Sequence, residues 1–140
     1  MMMSPTHDQA SVLIVDDDPI ACGLLHNLLR TGGYHVEATS SPEAGLLELC
    51  QQRSRIAWLV TKTRLPGLVD GWILADEFHR HHASRPVVLL TGVGDTRDGP
   101  SIDAVSVPNG SPMRVLEILK ALTETSTVRT VAPLASRRAA

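Results

Sequence analysis

The sequence predicts an α/β fold: a doubly wound, five-stranded parallel sheet built as a (βα)5 series, with a shortened or missing fourth helix. Three observations carry this. Apolar, often β-branched runs recur along the 140 residues, and the first, Val12-Leu13-Ile14-Val15, has no polar position at all. Such a run suits a strand buried on both faces, as in a parallel sheet. Helix-start chemistry follows the runs: Asp18-Pro19, Ser41-Pro42 and Ser111-Pro112 each place a capping residue before a proline at the first helical position. Between the fourth and fifth runs stand only residues 91 to 103, broken by Gly92, Gly94, Gly99 and Pro100. Glycine and proline there favour a loop or a single turn over a helix.

The elements follow in order. Residues 1–10 are polar and contain Pro5, and read as a disordered lead-in. After the first strand, Ala21, Leu24, Leu25, Leu28 and Leu29 recur at helical spacing up to a stop at Gly32-Gly33. His35–Thr39 is the second strand, and Leu46, Leu47 and Leu49 mark the second helix. Ile56–Val60 is the third strand, ending abruptly in Thr61-Lys62-Thr63 before a Pro66-Gly67 turn. Trp72, Leu74, Ala75 and Phe78 belong to a third helix. Pro86–Leu90 and Ala104–Val107 are the last strands, and Val115, Leu116, Ile118, Leu119 and Leu122 line the last helix. The domain is taken as 11–125. Residues 126–140 carry no periodicity and read as a disordered tail.

Composition narrows the function. A net charge of -2 gives no basic field for nucleic acid, and Arg137-Arg138 is too small a cluster to supply one. No apolar run reaches membrane-spanning length, and MMMSPTHDQ lacks the regions of a signal peptide, so a cytoplasmic location is expected. Four aromatics, Tyr34, Trp58, Trp72 and Phe78, leave the core to aliphatic side chains. Cys22 and Cys50 read as small buried hydrophobes in a reducing compartment. His79, His81 and His82 close the third helix, where cations suit the helix dipole, and are not read as metal ligands.

In doubly wound sheets, sites form at the carboxyl ends of the strands. Those ends carry Asp16-Asp17, Thr61-Lys62, Thr91 and Val107-Pro108. Together with "VLIVDDDP", "RLPGLVDG" and "VVLLTG", the chain resembles the receiver domain of bacterial response regulators over roughly Ser11 to Thr125. The resemblance implies a flavodoxin-like receiver fold. It also implies a site where two acids and a phosphoacceptor aspartate hold magnesium, while a hydroxyl and a lysine contact the phosphoryl group. Asp16 and Asp17 match the acidic pair and Thr91 the hydroxyl. Pro66, Gly67, Asp70 and Gly71 match the turn after the phosphoacceptor, with one extra residue. Lys62 stands at the phosphoacceptor position, Val107 at that of the phosphate-binding lysine, and Ala104 at that of the switching aromatic.

These departures imply a stand-alone, atypical pseudo-receiver of bacterial two-component signalling. It would be no enzyme and would act through protein–protein contact without phosphorylation. Lys62 is expected to pair with Asp16 and Asp17, leaving magnesium binding lost or weak and those two acids only residual metal candidates; no other cofactor is expected. A histidine kinase or another signalling protein is the expected partner. A second apolar edge that includes Ile118 suits a homodimer through the last helix. One alternative is a receiver phosphorylated on a surrogate, Asp16, Asp17, Thr61 or Thr63. Another is a small flavodoxin-like ligand-binding domain, opposed by the three aspartates where a phosphate loop would need glycines.

Overall fold

β1 (Ser11–Val15) is buried along its whole length and lies between two partners, β2 (His35–Thr39) and β3 (Trp58–Lys62). β4 (Val87–Thr91) and β5 (Ala104–Pro108) continue the sheet in the order β2-β1-β3-β4-β5, with every pair parallel. The computed structural model describes residues 11–52, 55–92, 103–108 and 110–139, with side chains as far as residue 125. Among them are four helices, α1 (Pro19–Thr31), α2 (Pro42–Gln51), α3 (Gly71–His81) and α4 (Pro112–Ala139). The fold is the doubly wound, flavodoxin-like arrangement, with four helices among the described residues. The expected lead-in over 1–10, and the loop or turn expected over 93–102, lie outside the described residues.

The strand period of two divides the core between the sheet's faces. Val12 and Ile14 of β1 pack on one side with Leu25, Leu29, Val115 and Leu119 of α1 and α4. Leu13 and Val15 point the other way, toward Leu49, Leu74, Ala75 and Phe78 of α2 and α3. Each fully buried aliphatic side chain contributes about 2 kcal/mol of transfer free energy, so these two aliphatic layers hold the fold with few aromatics. Helix starts are set by side chains. Asp18 Oδ1 accepts from the Ile20 and Ala21 N–H groups at 3.0 and 3.3 Å. Ser41 Oγ accepts from Ala44 N–H at 3.1 Å, and Asp70 Oδ1 from Ile73 N–H at 3.0 Å.

Several sequence expectations shift. The third strand begins and ends two residues later than its apolar run. It includes the fully buried Thr61, which pairs across to Val15 and Leu89, and so carries Lys62 on the strand itself. The fourth strand likewise includes Thr91. Cys50 is exposed rather than buried, because Leu49 beside it takes the inward position on α2; neither cysteine forms a disulfide. The last helix runs on to Ala139, past the boundary drawn at residue 125.

At the amino ends of β3 and β4, Arg85 lies over the Trp58 ring, its guanidinium carbon 5.1 Å from the centroid, and donates to the Ala57 carbonyl at 2.8 Å. The Arg85 carbonyl is 2.9 Å from His79 Nε2, which joins the end of α3 to the start of β4. His81 lies 3.7 Å from Glu77, and the His82 ring centroid is 4.8 Å from that of Phe78. These histidines fasten the end of a helix. Among the described residues no three His, Cys, Asp or Glu side chains are grouped to hold a metal ion. Nor is any helix there long and apolar enough to cross a membrane.

Candidate functional site

The carboxyl ends of β1, β3 and β4 open onto one cleft of about 260 Å³, lined by Asp16, Asp18, Lys62, Thr91, Gly92 and Gly110 among others. Parallel strands bring it about. β1 and β3 are adjacent, so the residues just past Val15 face the end of the strand that carries Lys62. β4 lies on the other side of β3, with Lys62 opposite Leu90 and Thr91 next in line.

Lys62 Nζ donates to Asp17 Oδ1 at 3.1 Å, with both side chains about one-third exposed, at 39% and 34%. The hydrogen bond to Asp17 holds the Lys62 ammonium above the usual lysine range, with the charges of Asp17, Asp16 and Asp18 acting in the same direction against partial burial. The amine is therefore protonated and is no nucleophile. Asp16 is set deeper, only 6% exposed. Its Oδ1 accepts from Asp18 N–H at 2.9 Å. Burial raises the Asp16 carboxyl above the usual range, opposed by the Asp18 N–H and by the Lys62 charge.

Thr91 lines the cleft half-buried, whereas Val107 does not reach it. Val107 is fully buried and packs with Val12, Ile14, Leu90 and Val115 in the core between the sheet and α1 and α4. Ala104, at the start of β5, packs against the opposite core layer. The structure thus brings Asp16, Asp17, Lys62 and Thr91 together and leaves Val107 out. Asp18, Gly92 and Gly110 also line the cleft; of these only Asp18 carried a sequence signal, as a cap.

The backbone beneath Lys62 is fixed by Gly71. A Cβ there would collide with the Lys62 carbonyl oxygen and would lie 2.8 Å from Thr63 Cα. Gly71 N–H donates to the Thr63 carbonyl at 3.0 Å, and Thr63 N–H donates to the Leu90 carbonyl at 3.2 Å. The turn between β3 and α3 uses Gly67 at φ +90°, in the left-handed region that glycine enters without strain.

A doubly wound sheet with an acidic cleft at the carboxyl end of its first strand defines the receiver class of signalling domain. The model of the response regulator receiver domain matches residues 12–103, so the chain belongs to that family, a component of two-component signalling. Over 138 residues it is 30% identical to the C4-dicarboxylate transport transcriptional regulatory protein DctD of Pseudomonas aeruginosa, covering 90% of this chain and 29% of that protein. It is 35% identical over 86 residues to the transcriptional regulatory protein ZraR of Escherichia coli O157:H7, covering 61% of this chain and 19% of that protein. The chain thus spans less than a third of each of these relatives. A response regulator receiver domain protein from Clostridium thermocellum superposes with a TM-score of 0.73 at 19% identity, over 85% of this chain and 98% of that one. A putative response regulator from Chloroflexus aurantiacus superposes at 0.64 with 25% identity, over 81% and 96%.

Receiver domains imply a magnesium ion at such a cleft. The residues present do not fit one. Asp17 already accepts a hydrogen bond from an ammonium group, Asp16 accepts from Asp18 N–H, and Asp18 is turned onto the start of α1. Magnesium wants a near-octahedral set of hard oxygens, and a fixed positive charge at the cleft opposes a divalent cation.

Proposed function

We propose that this receiver acts by protein–protein contact without aspartyl phosphorylation, as a pseudo-receiver in a two-component pathway. Lys62 then stands where the phosphoacceptor would be, and Val107 where the phosphate-binding lysine would be. The single observation that carries the reading is the 3.1 Å contact of Lys62 Nζ with Asp17 Oδ1. A paired ammonium at this point supports the reading, since the chemistry of the family calls for a carboxylate nucleophile. The burial of Val107 supports the same conclusion, since a valine in the core offers no charge to a phosphoryl oxygen. On this reading the ion pair holds the carboxyl ends of β1 and β3 in one arrangement, and the domain presents a constant surface to a histidine kinase or another signalling protein.

The test is the intact mass of the protein after incubation with acetyl phosphate and Mg²⁺, alongside a Lys62→Asp variant. The expected result is no phosphoryl adduct on the natural chain. An adduct that fragmentation places on Asp16, Asp17, Thr61 or Thr63 would overturn the reading and return the protein to the phosphorylated switches.

A further inference from the structure

β2 closes one side of the sheet. Its inner edge pairs with β1, and among the described residues no strand lies along its outer edge. The Thr39 carbonyl accepts from Asp16 N–H at 3.2 Å, so at Thr39 the backbone of β2 faces β1. Backbone direction alternates along a strand. His35 and Glu37 therefore share that facing, while the N–H and C=O groups of Val36 and Ala38 point outward. Among the described residues neither Val36 nor Ala38 takes a turn, loop or cap hydrogen bond. Ala38 is exposed. A cavity of about 400 Å³ opens beside this edge, lined by His26, Arg30, Gly33, Tyr34, His35 and Val36. Outward peptide groups on an edge are a template for a further strand.

The side chains select which strand fits. His35 and Glu37 stand on one face of β2, 53% and 47% exposed, with His35 Nε2 3.7 Å from a Glu37 carboxylate oxygen. A second β2, running antiparallel about a two-fold axis at Val36, sets His35 opposite Glu37 of the other copy and Glu37 opposite its His35. The same register pairs Val36 with Val36 across the axis. Because Val36 points its peptide groups outward, that central pair exchanges both N–H···O bonds. The flanking His35–Glu37 pairs then fall at the closer, non-hydrogen-bonded positions. Backbone and side chains favour one register. A slide of two residues either way sets Glu37 against Glu37 or His35 against His35, and like charges directly opposite are destabilising. Charged side chains on an edge ordinarily discourage pairing. Here their opposite signs, two positions apart, make the edge complementary to itself.

We propose that β2 pairs with β2 of a second copy of this chain, antiparallel and centred on Val36, joining the two sheets into one. The pairing does not depend on how the cleft is read, and it uses a different face from the last helix. A histidine ring donates an N–H to a carboxylate whether neutral or protonated, so no change of charge is needed. Five residues make a short strand, so the association is weak and reversible.

The test is sedimentation equilibrium of the full chain over a concentration series reaching about 1 mM, where monomer and dimer should exchange with concentration. His35→Glu sets acids opposite one another at both flanking pairs and should weaken dimerisation at least about tenfold. Combining His35→Glu with Glu37→His restores opposite signs in the same register and should recover the dimer. Val36→Pro removes an outward N–H from an edge strand, where proline is tolerated, and should abolish the dimer while the fold persists. In a mixture of isotope-labelled and unlabelled copies, a cross-peak between the α-protons of His35 and Glu37 should appear, since these protons are too far apart within one strand. A chain that stays monomeric throughout the series would overturn the proposal. So would a dimer indifferent to His35→Glu, a combined variant that fails to recover, or cross-peaks between copies that fall on α4 instead. Should the variants fail to fold, the cross-peak on the natural chain decides alone.

Discussion

Two cations stand at opposite ends of the β3–β4 pair, and the protein neutralises them differently. At the amino end, Arg85 is held by a carbonyl oxygen at 2.8 Å and by the face of Trp58, with no acid against it among the described residues. Burial lowers its pKa. At the carboxyl end, Lys62 is held by a carboxylate, which raises its pKa. The amino end settles this cation with dipoles and a ring. The carboxyl end gathers three acids within three residues and, among the described residues, sets one lysine against them. Among the described residues, the two ends differ in whether a cation is met by dipoles or by carboxylates.

That contrast can be broken in four ways, beginning with the largest effect. Gly71→Ala forces a methyl group onto the backbone of Lys62 and Thr63 and should cost about 3 kcal/mol of unfolding free energy in a urea titration. It should also scatter the amide resonances of the carboxyl end while sparing those around Arg85. Arg85→Ala removes a desolvated cation–π contact and strands the Ala57 carbonyl; the expected loss is about 2 kcal/mol, little changed by salt. Asp18→Ala uncaps α1 and should cost about 1 kcal/mol, seen as a lower Tm.

Lys62→Met is the smallest change, about 0.5 kcal/mol at low salt and less at high salt, because the pair is partly exposed. Its mark is the pH profile. The folded pKa of Lys62 lies above the ordinary lysine value of 10.5, so its contribution is complete below that value and is lost as pH rises through the folded one. The natural chain should lose that increment in alkali, and Lys62→Met should not. An alkaline profile unchanged by the substitution would mean the pair contributes nothing in solution.

The sheet was largely legible because its determinants are local. An all-apolar β1 and the cap-proline pairs at Asp18 and Ser41 announce strand and helix starts without tertiary help. Strand ends were less legible. Thr61 and Thr91 look polar in sequence, yet the ladders carry β3 and β4 through them, on both sides at Thr61 and toward β5 at Thr91. Cys50 was misplaced because composition says that cysteines are buried, while the helix phase, set by Leu49, says which one is. At the site, the approach of Lys62 to the acids follows from strand order, which the alternating pattern implies. Asp17 rather than Asp16 as the hydrogen-bond acceptor could not be read, since it depends on which side chain turns inward past Val15. Nor could the close approach of Gly71 to Lys62, which needs two elements placed against each other.

The position of β1, second in the sheet, has a consequence during synthesis. Its ladder to β2 can close as soon as that strand leaves the ribosome, but its other edge waits for β3, whose last residue comes 47 positions after Val15. At ordinary translation speeds that wait is roughly two to nine seconds. For that interval the nascent chain carries Val12–Val15 with at least one side unpaired, a sequence of the kind that recruits stray strands. Chaperone demand on this small domain should therefore peak before its third strand emerges and fall once β3 docks, well before α4 is made.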